Sequence, residues 1–117
     1  MISRGKNMKY HLIIKGADTD VKGICEAHKE IEKYAYILHD NEFLAFPHYH
    51  VFLECCNSPV REHDIRLWFN RLCGIQKIAV SIQVELNYML HSRDVLYHPY
   101  DIVANFDIMP YLNGSEE

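Results

Sequence analysis

Apolar and polar residues alternate between positions 47 and 55, a segment that reads Pro-His-Tyr-His-Val-Phe-Leu-Glu-Cys. Residues two apart in a β-strand point to the same face, so one face is apolar and carries Tyr49, Val51, Leu53 and Cys55. His48 and His50 lie side by side on the other face, close enough to bind one metal ion. The simpler interpretation is that both are ordinary, half-exposed histidines of a strand. The neighbouring segments have to decide between this interpretation and a metal site.

The hydrophobic pattern elsewhere predicts three more strands and three helices. The strands are expected over residues 9–15, 34–38 and 78–84, where short apolar or alternating runs occur. The first helix follows the N-cap candidates at 18–20, and its apolar stripe runs from Val21 to Ile31. The second begins at Ser58-Pro59 and ends at Gly74, because Ser and Pro favour helix starts and Gly favours helix ends. A short third helix covers 85–91.

The resulting order, β-α-β-β-α-β-α, predicts an α+β fold. Strands that are joined partly by helices and partly by a direct loop indicate an antiparallel or mixed sheet with helices packed on one face. A chain of 117 residues suffices for one domain and is too short for two. We therefore expect a single domain over 1–117, with an irregular tail over 93–117 that includes a short strand near 105–108.

Composition excludes several classes of protein. No apolar run approaches the length of a membrane span, and the N-terminus lacks the apolar core of a signal peptide, so we expect a soluble, cytoplasmic protein without a membrane partner. The four cysteines contain no Cys-x-x-Cys pair. A structural zinc site or a disulfide framework is therefore not expected, and free, mostly buried thiols are.

The net charge of −4 argues mildly against a nucleic-acid partner, but its distribution weakens that argument. All twelve Lys and Arg residues precede position 94, and four of the sixteen acidic residues lie in 101–117, so the first hundred residues are neutral. Carboxylates that are drawn into a metal site would also not repel phosphate as free ones do. Charge therefore does not decide whether the chain binds nucleic acid.

Further candidate metal ligands precede the His48–His50 pair. His39 ends the strand over 34–38, and Glu42 follows it. If this strand is a sheet neighbour of the 48–55 strand, His39 and Glu42 can face the histidine pair; Asp40 is the rival carboxylate. Three imidazoles and one carboxylate favour Mn²⁺, Co²⁺, Ni²⁺ or Zn²⁺ over Mg²⁺, which prefers oxygen ligands and water. We expect Mn²⁺, with Mg²⁺, Co²⁺ and Ni²⁺ as alternatives.

A metal site with open positions needs a substrate or a nucleophile, and Tyr88 is the candidate nucleophile. A phenol has a pKa near 10, so it must lose its proton before it attacks well. A metal ion could polarise a phosphodiester while Tyr88 attacks in line. Spacing alone does not select this residue, because the chain has eight tyrosines and most tyrosines on helices simply pack.

Taken together, these motifs resemble those of the replication initiators of small rolling-circle plasmids in the HUH endonuclease superfamily, particularly the plasmid Rep family of Gram-positive bacteria. In that family a Leu-His-Asp-x-(Asp/Glu) segment precedes a His-hydrophobic-His strand; here 38–42 reads Leu-His-Asp-Asn-Glu and 48–50 reads His-Tyr-His. The nucleophile lies in a Tyr-Leu-Thr-His-like motif, similar to Tyr-Met-Leu-His at 88–91. A distal Tyr-Asp and Asn-Phe-Asp-Ile stretch is similar to 100–101 and 105–108, so the resemblance spans residues 9–112.

The resemblance implies a ferredoxin-like HUH endonuclease domain with a defined site. Its metal ligands would be His39, Glu42, His48 and His50, and Tyr88 would be the catalytic nucleophile. Glu42 stands where relatives often have Asp, and Leu90 replaces the Thr of the tyrosine motif. Relatives often continue into an oligomerisation or helicase region, so the chain would be a minimal protein or an excised nuclease domain.

The resemblance also implies the reaction and the partners. Tyr88 would nick single-stranded or hairpin origin DNA, which gives a 5′-phosphotyrosine link and a free 3′-OH that primes synthesis by the host replication machinery. Termination needs a second nucleophile, and Glu85, one helical turn before Tyr88, is the candidate to activate water. Two alternatives remain: a DNA-binding module of the same fold without catalysis, and a relaxase or transposase of the same superfamily.

Overall fold

Five strands form one antiparallel sheet in the computed structural model, which describes residues 7–40, 46–56, 60–91 and 96–113. Every pair of neighbouring strands in this sheet is antiparallel, and the order across it is β4-β1-β3-β2-β5. An α+β fold with an antiparallel sheet is therefore confirmed. The strands are β1 (Met8–Lys15), β2 (Ile31–His39), β3 (His48–Cys55), β4 (Leu72–Ile78) and β5 (Val103–Ala104).

Helices pack on both faces of the sheet, and not on one face as the sequence suggested. Helices α1 (Val21–Ala27) and α2 (Glu62–Trp68) cover one face, while α3 (Ile82–Leu90) and α4 (Met109–Asn113) cover part of the other. A single turn of 3₁₀ helix, Pro99–Asp101, precedes β5. In the part of the chain that the structure describes, no helix is both long and apolar enough to span a membrane.

The alternation along β3 divides the core into two clusters, of which the sequence predicted the one on the apolar face. Its odd-numbered side chains pack with β1, α1 and α2 in the larger cluster, which includes Tyr49, Val51, Leu53 and Cys55. Phe52, on the opposite face, is fully buried against α3 in the smaller cluster. Because β3 has a strand on each side and a hydrophobic cluster above and below, the positions of His48 and His50 are fixed by the core.

The predicted second helix, from Ser58 to Gly74, is confirmed in its middle part, where α2 lies, and is wrong at its C-terminal end. Ser58 and Pro59 lie outside the described residues, α2 ends at Trp68, and Leu72 and Gly74 belong to β4. α2 ends where Phe69 adopts an extended backbone conformation, and the chain then turns at Arg71, whose φ of 62° lies in the left-handed region, before β4 begins. The following residues then pair with β1 as an edge strand, so sheet pairing overrides the apparent helical spacing.

The predicted strand over 78–84 is also wrong, because those residues are divided between the end of β4, a short connection and the start of α3. β4 ends at Ile78, and Ser81 is the N-cap of α3, where its side chain accepts a hydrogen bond from the backbone N–H of Val84 at 3.2 Å. Ile82, Leu86 and Met89 recur at helical spacing and pack into the smaller core cluster. This spacing outweighs the alternation that predicted a strand.

Two further boundaries differ from those predicted. The first helix ends at Ala27, and Ile31 already begins β2. The last strand lies at Val103–Ala104 instead of 105–108. Asn105 follows it: its backbone N–H donates to the carbonyl oxygen of Tyr34 at 3.2 Å, and its side-chain oxygen accepts from the backbone N–H of Tyr34 at 2.8 Å. A side chain thus adds to the pairing where the short strand ends.

All four cysteines are free thiols, as expected, but their surroundings differ. Cys25 and Cys55 are buried in the larger core cluster, and this burial raises the pKa of each thiol to about 12. Cys73 is exposed on β4. Because the thiolate is the reactive form, the buried pair should be unreactive in the folded protein.

We predict that Ellman's reagent modifies Cys73 in the native protein and reaches Cys25 and Cys55 only after unfolding in guanidinium chloride. Peptide mapping by mass spectrometry after timed labelling identifies the modified residues. Labelling of Cys25 or Cys55 as fast as that of Cys73 in the native state would contradict the core described above.

Candidate metal centre

Three histidines converge where β2 ends beside β3. His39 is the last residue of β2 and lies opposite His48, the first residue of β3, while His50 lies between Ile37 of β2 and Ile13 of β1. One ring nitrogen from each of the three imidazoles lies within 4.8 Å of the others, so together they could hold a metal ion. His39 and His50 are only 2% and 8% exposed, and His48 is half-buried.

Backbone carbonyls orient two of these rings. Nε2 of His39 lies 2.8 Å from the carbonyl oxygen of Met89, and Nδ1 of His48 lies 2.7 Å from that of Phe46. A carbonyl only accepts hydrogen bonds, so each of these nitrogens carries the proton when the ring is neutral. The lone pair is then on Nδ1 of His39 and on Nε2 of His48. Metal-binding histidines typically have such outer contacts, which fix the tautomer and the ring direction.

The surroundings of His50 favour its neutral form. Burial, together with the neighbouring His39, His11 and His48, lowers the pKa of its imidazole to about 3. A metal ion binds the neutral form of imidazole, so His50 needs to lose no proton before it binds one.

The structure describes only one of the two candidate carboxylates. Glu42 lies outside the described residues. Asp40 is exposed and follows β2 directly; it lines a shallow groove with Leu38, Tyr97 and Asp101. Leu38 packs with the larger core cluster, on the face of the sheet opposite the histidines. Among the described residues the cluster of potential ligands therefore contains three imidazoles and no carboxylate.

Tyr88 lies beside the histidines on the exposed side of α3. Its ring centroid is 5.9 Å from that of His50 and 5.5 Å from that of His11, and both contacts are edge-on. The side chain is 57% exposed, so a large substrate can reach it. α3 carries Leu86 and Met89 into the core on its other side, and this anchors the helix that presents Tyr88.

Two other tyrosines in the C-terminal part of the chain have different surroundings. Tyr97 is buried and stacks on His39, with ring centroids 4.2 Å apart and planes 2° from parallel. Tyr100, in the 3₁₀ turn, is 83% exposed and contacts His98. Tyr88 is thus the tyrosine that combines proximity to the cluster with exposure among these three.

Sequence reasoning missed His11, which extends the cluster toward α3. His11 lies on β1 and is buried; its Nε2 is 2.9 Å from Nδ1 of His50, and its Nδ1 contacts the carboxylate of Glu85. Glu85 is 5% exposed. The sequence holds one signal for His11. In a strand, His11 points to the same face as Lys9 and Lys15, which marks that face of β1 as polar. The register of β1 against β3, which brings it to His50, cannot be read from the sequence.

Comparison with known proteins finds a similarity in sequence to a replication protein. No protein-family model matches the chain. It is 32% identical to a replication protein of Onion yellows phytoplasma (strain OY-M), over 76% of this chain. The chain spans only 29% of the length of that relative.

Proposed function

We propose that this chain is a metal-dependent DNA-nicking and -joining domain of a replication initiator, of the HUH endonuclease type. The observation that carries the proposal is the convergence of His39, His48 and His50 beside the exposed side chain of Tyr88. The similarity to a protein named as a replication protein supports a role in replication. The motifs that resemble the plasmid Rep family support the nicking chemistry.

The residues fit a divalent metal ion. Three imidazoles offer nitrogen ligands from two adjacent strands, and carbonyl contacts orient two of the rings. Nitrogen-rich ligation suits Mn²⁺, Co²⁺ or Ni²⁺ better than Mg²⁺, and Glu42 would add a carboxylate. When bound, such an ion would stabilise negative charge that develops on a phosphate oxygen.

Tyr88 would act as the nucleophile. Its phenolic oxygen attacks the scissile phosphorus and loses its proton to solvent or a nearby base, while the bond to the 3′ oxygen breaks. The products are a 5′-phosphotyrosine and a strand that ends in a 3′-OH. In the reverse step, the 3′-OH attacks the phosphotyrosine, rejoins the DNA and releases Tyr88. One phosphodiester replaces another in each direction, so no energy source is required.

A DNA-binding module without catalysis is the alternative function. The net charge of −4 does not separate the two functions, because both require DNA binding and the charge weakens the electrostatic attraction to DNA equally in each. Such a module would bind DNA without forming a covalent product. Formation of a protein–DNA adduct therefore separates the two functions.

We predict that Tyr88→Phe folds normally and loses adduct formation completely, because it keeps the ring and removes the attacking oxygen. The protein is incubated with Mn²⁺ and a 3′-labelled library of single-stranded and hairpin DNA, since the protein becomes attached to the 5′ end of the released strand. Adducts are separated on denaturing gels, and the modified residue is mapped by mass spectrometry.

Tyr100→Phe is the matched control, because it removes the hydroxyl of another exposed tyrosine away from the cluster. It should form adducts like the wild type. Persistence of the adduct in Tyr88→Phe would refute Tyr88 as the nucleophile and direct attention to Tyr97 or Tyr100. Binding of DNA by the wild type with no adduct at all would favour the non-catalytic module.

We predict that Mn²⁺ raises the thermal unfolding temperature of the wild type and fails to raise that of His48→Ala or His50→Ala. Binding to the folded state alone stabilises it by about 2.7 kcal/mol at a metal concentration one hundred times Kd, which corresponds to several degrees for a small domain. Each variant is compared with itself in the presence of a chelator, so that any loss of intrinsic stability cancels.

His63→Ala is the control for this measurement, since His63 is exposed on α2, on the opposite side of the sheet. It should keep the full metal-induced shift. An equal shift in the wild type and in both cluster variants would rule out a metal site at His48 and His50.

We predict that Glu42→Ala lowers both Mn²⁺ affinity and nicking at least about tenfold, roughly 1.4 kcal/mol, as expected for loss of a charged ligand. Asp40→Ala should do less, because Asp40 is exposed and does not belong to the cluster of potential ligands that His39, His48 and His50 form among the described residues. Titration of Mn²⁺ into both variants compares them directly. A larger loss in Asp40→Ala would reverse the assignment.

A further inference from the structure

Three buried polar groups form a continuous chain from α3 to the histidine cluster. The carboxylate of Glu85 contacts Nδ1 of His11, and Nε2 of His11 lies 2.9 Å from Nδ1 of His50. All three side chains are less than 10% exposed, and each comes from a different element: α3, β1 and β3. A buried carboxylate requires partners to offset its loss of hydration, and His11 is the partner that the structure provides for Glu85.

The carboxylate of Glu85 fixes the direction of the hydrogen bonds that link Glu85, His11 and His50. A carboxylate accepts only, so a neutral His11 donates its Nδ1 proton to Glu85 and keeps a lone pair on Nε2. That lone pair accepts the Nδ1 proton of His50, which leaves the lone pair of His50 on Nε2. With Nδ1 engaged by His11, Nε2 is the nitrogen through which His50 can bind a metal ion. The carboxylate thus selects, through His11, the tautomer that a metal ligand needs.

We infer that Glu85 and His11 are positioning residues that fix the tautomer and ring direction of His50 for metal binding. This inference rests on the proposed metal site and adds two residues to it. It also gives Glu85 a role different from activation of water. The carboxylate is buried and directed at His11, whereas Tyr88 on the same helix is exposed.

The two roles of Glu85 predict different behaviour for two substitutions. Glu85→Gln keeps an amide oxygen that can accept the His11 proton, so a positioning role survives it; a base that activates water does not. Glu85→Leu removes the acceptor and should weaken metal binding about 10- to 100-fold, the range typical of lost outer contacts. His11→Phe should weaken it by a similar factor, because it interrupts the chain at the next link.

The test is a titration of Mn²⁺ alone, in which the electron paramagnetic resonance signal of free Mn²⁺ reports the Kd of each folded variant. We expect Glu85→Leu and His11→Phe to lose about 10- to 100-fold in affinity, and Glu85→Gln to stay within about threefold of the wild type. In the double variant His11→Phe/Glu85→Leu the losses should not multiply, since both substitutions break one chain.

Glu26→Leu is the control, because it removes a carboxylate that accepts from the Tyr34 hydroxyl, at 2.6 Å, away from the cluster. It should bind Mn²⁺ like the wild type. Circular dichroism without metal verifies folding, and if one apolar variant does not fold, the other decides. Wild-type affinity in either folded apolar variant would overturn the positioning role alone. Absence of Mn²⁺ binding by the wild type would overturn the proposed metal site together with this inference.

Discussion

The pairing of β3 with a strand on each side is the constraint on which the rest of the molecule depends. Every second side chain of β3 enters the larger core cluster, while on the other face Phe52 packs against α3 and His48 and His50 belong to the histidine cluster. A shift of one residue in this register would move His48 and His50 into the core and bring Val51 and Leu53 to the open face. Hydrophobic burial therefore fixes the position of the candidate ligands, although they contribute little apolar area themselves.

Predictions from the sequence were correct where the pattern lay within one strand, and they were wrong where packing between elements decided the structure. The alternation along β3 and the histidine face were predictable because both depend on a period of two within one strand. The boundary between β4 and α3 was not, since the apolar spacing of Ile78 and Ile82 fits a strand as well as the two elements that occur. There the N-cap at Ser81 and packing of α3 on the sheet decide the outcome. Local pattern is weaker than tertiary packing at such junctions.

Some residues of the candidate site could likewise be grouped from the sequence, and others could not. His39, His48 and His50 could be grouped from the sequence because their strands are consecutive and a direct connection predicts antiparallel neighbours. His11 could not be grouped with them, because it precedes His50 by 39 positions along the chain and only the sheet register brings the two rings together. The place of Glu85 likewise depends on how α3 crosses the sheet, which no spacing within the helix reveals.

The crossing of α3 over the sheet also explains how one helix can serve two opposite requirements. Metal ligands bind well when their surroundings are rigid and their outer hydrogen bonds are shielded from water, whereas a nucleophile for DNA must be open to a large substrate. Glu85 and Tyr88 are three residues apart, so they lie on neighbouring parts of the helix surface. Glu85 faces the buried His11, and Tyr88 lies beside His50 at the edge of the cluster.

Since Met89 also orients His39 through its carbonyl oxygen, a shift of α3 would disturb two imidazoles and the tyrosine at once. Under the proposed function, the packing of α3 is therefore what keeps the nucleophile and the metal ligands in register with each other.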